Sequence, residues 1–142
     1  MLTNPPAKAG PTQKGSIMPA PVVLYVEDDF QNRVLVRRVL EASGFTVIEA
    51  ENGFRGMELA KDLLPDLILM DINLPEMDGY EVTSRLKTVT SLANVPIVAM
   101  TANVMKGDRE KTLAAGCDGY IQKPIDVDSL PQQIRQFINA RR

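Results

Sequence analysis

The chain contains no histidine and a single cysteine, Cys117. These scarcities together exclude disulfide frameworks, Cys/His zinc sites, Ser-His triads and Cys-His dyads. Blocks of Lys or Arg are missing too: 16 basic residues against 18 acidic ones leave a formal charge of -2, with no electrostatic footprint for nucleic-acid phosphates or anionic lipid. No apolar run approaches the roughly 20 residues that span a bilayer, and the first residues lack a signal-peptide core. The expectation is a cytoplasmic protein with no direct nucleic-acid or membrane partner. Its chemistry is left to carboxylates, hydroxyls, lysine and a hard metal ion.

What is present suffices for one domain: 142 residues, of which 44% are hydrophobic and 24% charged, enough to bury a core but not to build a second one. Residues 1–21 carry Pro5, Pro6, Pro11, Pro19 and Pro21 with Gly10, Gly15 and Ser16. That composition predicts a disordered Pro/Gly-rich leader, with the folded unit over residues 22–142.

From Val22 onward short apolar runs alternate with helical patterns, the mark of βα units around a parallel sheet. VVLYV (22–26), DLILM (66–70) and PIVAM (96–100) are continuous apolar runs, as strands buried on both faces require. TVIEA (46–50) and GYIQ (119–122) complete five predicted strands. Helical spacing follows each. Val34, Leu35, Val39 and Leu40 form a face stopped by Gly44; Phe54, Met57, Leu59, Leu63 and Leu64 a second, ending before Pro65. Tyr80, Val82, Leu86 and Val89 suit a third. Gly107 is expected to interrupt the fourth, leaving Asp108 to Ala115 helical. Leu130, Ile134, Phe137 and Ile138 mark the fifth, N-capped by Asp126 or Asp128. The predicted fold class is α/β: a doubly wound, flavodoxin-like five-stranded parallel sheet in the order 2-1-3-4-5, with ligands beyond the carboxyl ends of the strands.

At or just after those ends lie Glu27, Asp28 and Asp29 (first strand), Asp71 (third), Thr101 (fourth) and Lys123 (fifth). Singly, each has a plainer reading: an acidic turn, a strand-end cap, a solvated lysine. Together they place several carboxylates, a hydroxyl and an ammonium in one crevice. Clustered carboxylates repel unless a cation intervenes, and Mg²⁺, which prefers oxygen ligands and keeps several waters, suits them.

VEDD (26–29), LILMDINLPEMDGYE (67–81), VPIVAMTAN (95–103) and AAGCDGYIQKP (114–124) occur in this order at helical separations. From Val22 to about Ala140 the chain thereby resembles the receiver domain of two-component response regulators. MTANVMKGD (100–108) is similar to single-domain and hybrid-kinase-associated receivers, of the chemotaxis-regulator and cell-cycle-regulator kinds. The resemblance implies that Asp71 is the phosphoacceptor, taking a phosphoryl group from a histidine kinase or histidine phosphotransfer protein. Asp28, Asp71 and the backbone carbonyl of Asn73 would hold Mg²⁺, with Glu27 acting through water. Lys123, before a cis Pro124, and the Thr101 hydroxyl would meet the phosphoryl oxygens. Tyr120 would be the aromatic switch, or simply a half-buried strand aromatic. Asn73 and Asn103 occupy positions that influence phosphoryl lifetime, and Asp29 is left as a helix cap. The implied protein is no enzyme beyond its own phosphorylation and dephosphorylation. It signals to an unknown downstream protein through the fourth helix, fifth strand and fifth helix, as a monomer or a phosphorylation-dependent dimer. It reads as a stand-alone receiver without an output domain; a receiver cut from a larger hybrid kinase or regulator has the same signature.

Two rivals share parts of this pattern. A Mg²⁺-dependent phosphatase with an Asp nucleophile needs a second Asp two residues on, where Asn73 stands. A flavodoxin-like cofactor carrier needs a Ser/Thr/Gly-rich phosphate loop after the first strand, where EDDFQN (27–32) would repel phosphate.

Overall fold

The computed structural model describes residues 19–102 and 106–141. Most of the expected leader, residues 1–18, and Asn103 lie outside the described residues. Strands β1 (Val22–Val26), β2 (Thr46–Ala50), β3 (Leu67–Asp71), β4 (Ile97–Thr101) and β5 (Gly119–Gln122) form one parallel sheet in the order β2-β1-β3-β4-β5. Parallel neighbours need long crossovers. Helices α1 (Phe30–Ala42), α2 (Gly53–Leu63), α3 (Gly79–Lys87) and α4 (Lys106–Ala114) supply them, with a 3-10 turn at Thr90–Leu92, and α5 (Leu130–Ala140) follows the last strand. The predicted fold class and strand order are both found.

Alternation along the strands divides the core. Val23, Tyr25, Leu67, Leu69, Val98, Met100 and Ile121 pack against Val36 and Leu40 of α1 and Leu130, Ile134 and Ile138 of α5. The intervening Leu24, Val26, Ile68, Met70 and Ile97 pack against Ala60 of α2 and Val82 and Leu86 of α3. Each fully buried aliphatic side chain contributes about 1.5–3 kcal/mol from loss of water contact. A smaller cluster of Ile72, Ala99 and Cys117, with Tyr80 and Tyr120 against it, lies toward α4.

Several sequence expectations are corrected. Strands three and four run one residue later than DLILM and PIVAM. The Asp66 carboxylate accepts from Val22 N at 2.7 Å instead of leaving the edge to a side chain packed in the core, and Pro96 has no N–H for the ladder. Pairing meanwhile continues through Asp71 opposite Met100 and Thr101 opposite Gln122. Asp71 and Thr101 are thus strand residues, held by the sheet itself. Helix three stops at Lys87, two residues before Val89, because Thr88 N turns back to Arg85 O and Leu86 O.

Gly107 does not break α4, which begins at Lys106. First-turn amides have no intrahelical acceptor, so glycine weakens the helix least there. The cap of α5 is Ser129, not Asp126 or Asp128, and it makes no side-chain cap bond. Asp126 instead builds the preceding turn, accepting Asp128 N on its side chain and Ser129 N and Leu130 N on its carbonyl. Pro131 then sits within the first turn, where its missing N–H is harmless. The apolar faces are also narrower than periodicity implied. Leu35, Phe54, Leu63, Leu64 and Leu113 are exposed. On α2 the buried positions are Gly53, Gly56 and Ala60: a Cβ on Gly56 would come within 2.8 Å of Val26 Cγ2, so small residues bring this helix onto β1.

Candidate functional site

The two-residue period of the strands explains which side chains meet at their carboxyl ends. Glu27 lies two positions past Tyr25, Asp71 two past Leu69, and Lys123 two past Ile121. All three therefore leave the sheet on the α1/α5 side and converge. Lys123 Nζ donates to Asp71 Oδ1 at 3.1 Å and to Glu27 Oε1 at 3.4 Å. Burial pulls the pKa of Lys123 down, but the charges of Asp71 and Glu27 outweigh it and raise the ammonium above its ordinary range. Glu27 and Asp71 are buried at 1% and 2% exposure, whereas Asp28 faces solvent. Carboxylate oxygens of Glu27, Asp28 and Asp71 lie within 4.8 Å of one another. Three anions against one ammonium leave this crevice short of positive charge.

The loops around it are pinned. Asp29 caps α1, its Oδ1 accepting from Gln31 N at 2.8 Å and Asn32 N at 3.1 Å, as expected for the residue outside the acidic pair. Asn73 N donates to Asp71 Oδ1 at 3.1 Å. Gly79 has a reason for lacking a side chain: a Cβ there would lie 2.5 Å from Asp71 O and 2.8 Å from Ile72 Cα. Its N–H bonds Ile72 O at 3.0 Å, tying the start of α3 to the chain just beyond Asp71. Lys123-Pro124 is cis.

Thr101, 4% exposed at the end of β4, is on the other face of the sheet together with Ala99. Tyr120 is opposite Ala99 in the β4–β5 register and half-buried. The Arg109 guanidinium stands 5.5 Å from its ring centroid. The structure thus brings Glu27, Asp28, Asp71 and Lys123 together, with Asn73 at their edge, and sets Thr101 and Tyr120 along a neighbouring path.

Two contributors escaped the sequence reading. Tyr25 donates its hydroxyl to Glu27 Oε1 at 3.0 Å from inside the core. Arg33 Nη1 donates to the Glu27 carbonyl at 2.7 Å while its Nε pairs with Glu49 Oε1 at 3.1 Å. A phenol in an otherwise aliphatic strand, two positions before a carboxylate, was the available signal for the first. The second depends on β2 meeting α1, which no local pattern encodes.

The donor set fits a hard divalent cation. All its atoms are oxygens, one carboxylate opens to solvent, and a cation would relieve the charge imbalance. Glu27 has donors on both oxygens, Tyr25 and Lys123 on Oε1 and Asp29 N at 3.2 Å on Oε2, so Asp28 and Asp71 are the better direct ligands.

Fold and crevice define a class of protein, the signalling receiver of two-component systems. The chain belongs to the response regulator receiver domain family, whose model matches residues 23–135. It is 45% identical over 116 residues to the polar-differentiation response regulator DivK of Brucella anthropi, covering 82% of this chain and 94% of that one. DivK of Brucella melitensis is 44% identical over the same coverage. Among solved structures, the receiver domain of the Pseudomonas aeruginosa sensor histidine kinase PA1611, which has a magnesium ion coordinated in its active-site cleft, superposes with a TM-score of 0.79. It is 33% identical, over 84% of this chain and 98% of that one. Vibrio cholerae CheY4 has a TM-score of 0.80 at 24% identity, over 83% of this chain and 98% of that one, a likeness of fold. Among the described residues, no helix is long and apolar enough to cross a membrane.

Proposed function

We propose that this receiver, residues 22–142, accepts a phosphoryl group on Asp71 from the phosphohistidine of a kinase or phosphotransfer protein and thereby switches a protein-binding surface. The supporting observation is the setting of Asp71: a buried carboxylate whose Oδ1 contacts Lys123 at 3.1 Å, beside the carboxylates of Glu27 and Asp28. In the transfer, an Asp71 oxygen attacks phosphorus as the P–N bond breaks, and the bonding electrons leave with the donor's imidazole. Lys123 shifts toward a phosphoryl oxygen, and the Thr101 hydroxyl donates to another. Asp28, Asp71 and the Asn73 carbonyl would hold Mg²⁺, with Glu27 through water; the ion supplies charge neutralisation for the phosphoryl oxygens. The magnesium in the PA1611 cleft supports that assignment.

Phosphorylation adds about -1.5 to -2 charge. Movement of Thr101 toward it opens space near Ala99, into which Tyr120 can turn, and α4, β5 and α5 carry the change to a downstream protein. Catalysis is confined to the domain's own phosphorylation and dephosphorylation.

Incubation with Mg²⁺ and acetyl phosphate, read by intact mass, tests the reading. The expected adduct is one phosphoryl group, absent in Asp71→Asn and suppressed by EDTA. An adduct that persists in Asp71→Asn, or forms equally with EDTA, overturns it.

A further inference from the structure

The hydroxyl of Tyr25 has no part in the chemistry above, yet it is placed where it matters. Tyr25 is fully buried on β1, with its ring in the core between the sheet, α1 and α5. Phenylalanine would fill that space with no polar atom to satisfy, whereas a buried phenol needs a partner. The partner is Glu27 Oε1 at 3.0 Å, the same oxygen that receives Lys123 at 3.4 Å. Lys123 is already nearer Asp71, at 3.1 Å, than Glu27.

Resting on the phosphoacceptor reading of Asp71, we propose that Tyr25 is a positioning residue. Its hydroxyl keeps Glu27 partnered and oriented when Lys123 leaves it for a phosphoryl oxygen on Asp71. Lys123 bridges two carboxylates at rest, and a third anionic group on Asp71 draws the ammonium farther from Glu27. At 1% exposure, Glu27 has little access to solvent beyond a water shared with Mg²⁺, so the donor that Lys123 withdraws is not readily replaced. A buried carboxylate deprived of a donor resists the change that deprives it. Tyr25 cannot follow Lys123, because its backbone is in the β1 ladder between β2 and β3. Its bond to Glu27 therefore survives in both states, and the lysine is released at lower cost. Asp29 N holds the other oxygen at 3.2 Å, so the carboxylate keeps one orientation throughout.

Tyr25→Phe in the full chain isolates the hydroxyl while preserving the ring in the core. Calorimetric titration with Mg²⁺ alone, then with beryllofluoride at saturating Mg²⁺ as a phosphoryl mimic, separates the resting site from the loaded one. The expected result is a beryllofluoride affinity lower by about tenfold, because in the variant Glu27 Oε1 keeps Lys123 at rest but is left an unsatisfied buried acceptor once Lys123 moves, with Mg²⁺ affinity unchanged within about twofold. The initial rate of phosphorylation by acetyl phosphate should fall in parallel. Equal beryllofluoride affinity in the two proteins overturns the inference. So does an equal loss for Mg²⁺ and beryllofluoride, which would mean that Tyr25 only shapes the resting site. If wild type neither binds beryllofluoride nor forms an adduct on Asp71, the phosphoacceptor reading itself falls, and this inference with it.

Discussion

Replacing Gly79 by alanine puts one methyl group where the structure has no room for it. The new Cβ would lie 2.5 Å from the carbonyl oxygen of Asp71, 2.8 Å from Ile72 Cα and 3.1 Å from Asp71 C, all of them backbone. None of these atoms can rotate away, because Asp71 is paired with Met100 and Ile72 N bonds Met100 O at 3.2 Å. Relief must come from α3 lifting off the sheet, which stretches the 3.0 Å bond from Gly79 N to Ile72 O. Overpacking of this kind costs about 1–3 kcal/mol. Adding about 0.5–1.5 kcal/mol for the weakened hydrogen bond gives roughly 1.5–4.5 kcal/mol. For a domain of this size that corresponds to a melting point lowered by about 6–20 °C. Gly53→Ala is the matched control: its Cβ would meet Val82 Cγ2 at 2.7 Å, a side-chain atom instead of paired backbone, so its loss should be the smaller. Calorimetry on both variants, with acetyl phosphate labelling of the survivors, gives stability and site integrity together. A melting point for Gly79→Ala within about 2 °C of wild type would refute the claim that the start of α3 is seated on the Asp71 backbone.

Arg33→Gln removes the guanidinium that joins the Glu27 carbonyl to Glu49, and should weaken Mg²⁺ binding several-fold by loosening the acidic loop; unchanged affinity in a calorimetric titration would count against that link. Thr101→Ala should still form the phosphoryl adduct but respond weakly in partner binding, and a fully responsive variant would remove the hydroxyl from the switch. On the alkaline side, burial and the Glu27 charge raise the Tyr25 phenol, and the neighbouring carboxylates raise Lys123 despite its burial. Both groups hold their protons more tightly folded than unfolded, so their contribution is intact below about pH 10 and is lost as pH rises past it. In EDTA-containing buffer Tyr25→Phe should flatten the decline of stability above that pH, and an identical slope would contradict the sign.

The strands were legible because a parallel sheet covered on both faces demands uninterrupted aliphatic runs, and VVLYV and its counterparts have no other use for that composition. Glu27, Asp71 and Thr101 were legible because each follows such a run directly, and Lys123 because it follows the short GYIQ segment. Helix faces were less so. Periodicity counted Leu35 and Phe54 as core, but the sheet takes Val36 on α1 and the small Gly56 and Ala60 on α2. How close a helix sits to a sheet is a tertiary quantity, and glycine at the contact is invisible to a hydrophobic pattern. Asp126 and Asp128 looked like caps because cap chemistry and turn chemistry use the same side chains. Tyr25 acts through Glu27 two residues on, a pairing that a run of apolar residues does not announce, and Arg33 acts through Glu49 on β2 and the chain just after β1.

The shared parity of Tyr25 and Glu27, Leu69 and Asp71, and Ile121 and Lys123 makes chain length part of the chemistry. Inserting a single residue between Leu69 and Asp71 would turn the Asp71 carboxylate to the opposite side of the sheet, away from Lys123. Substitutions on the outer surfaces of the helices carry no such penalty. New partners can therefore be acquired by rewriting the exterior, while the strands that feed the crevice must keep their residue count.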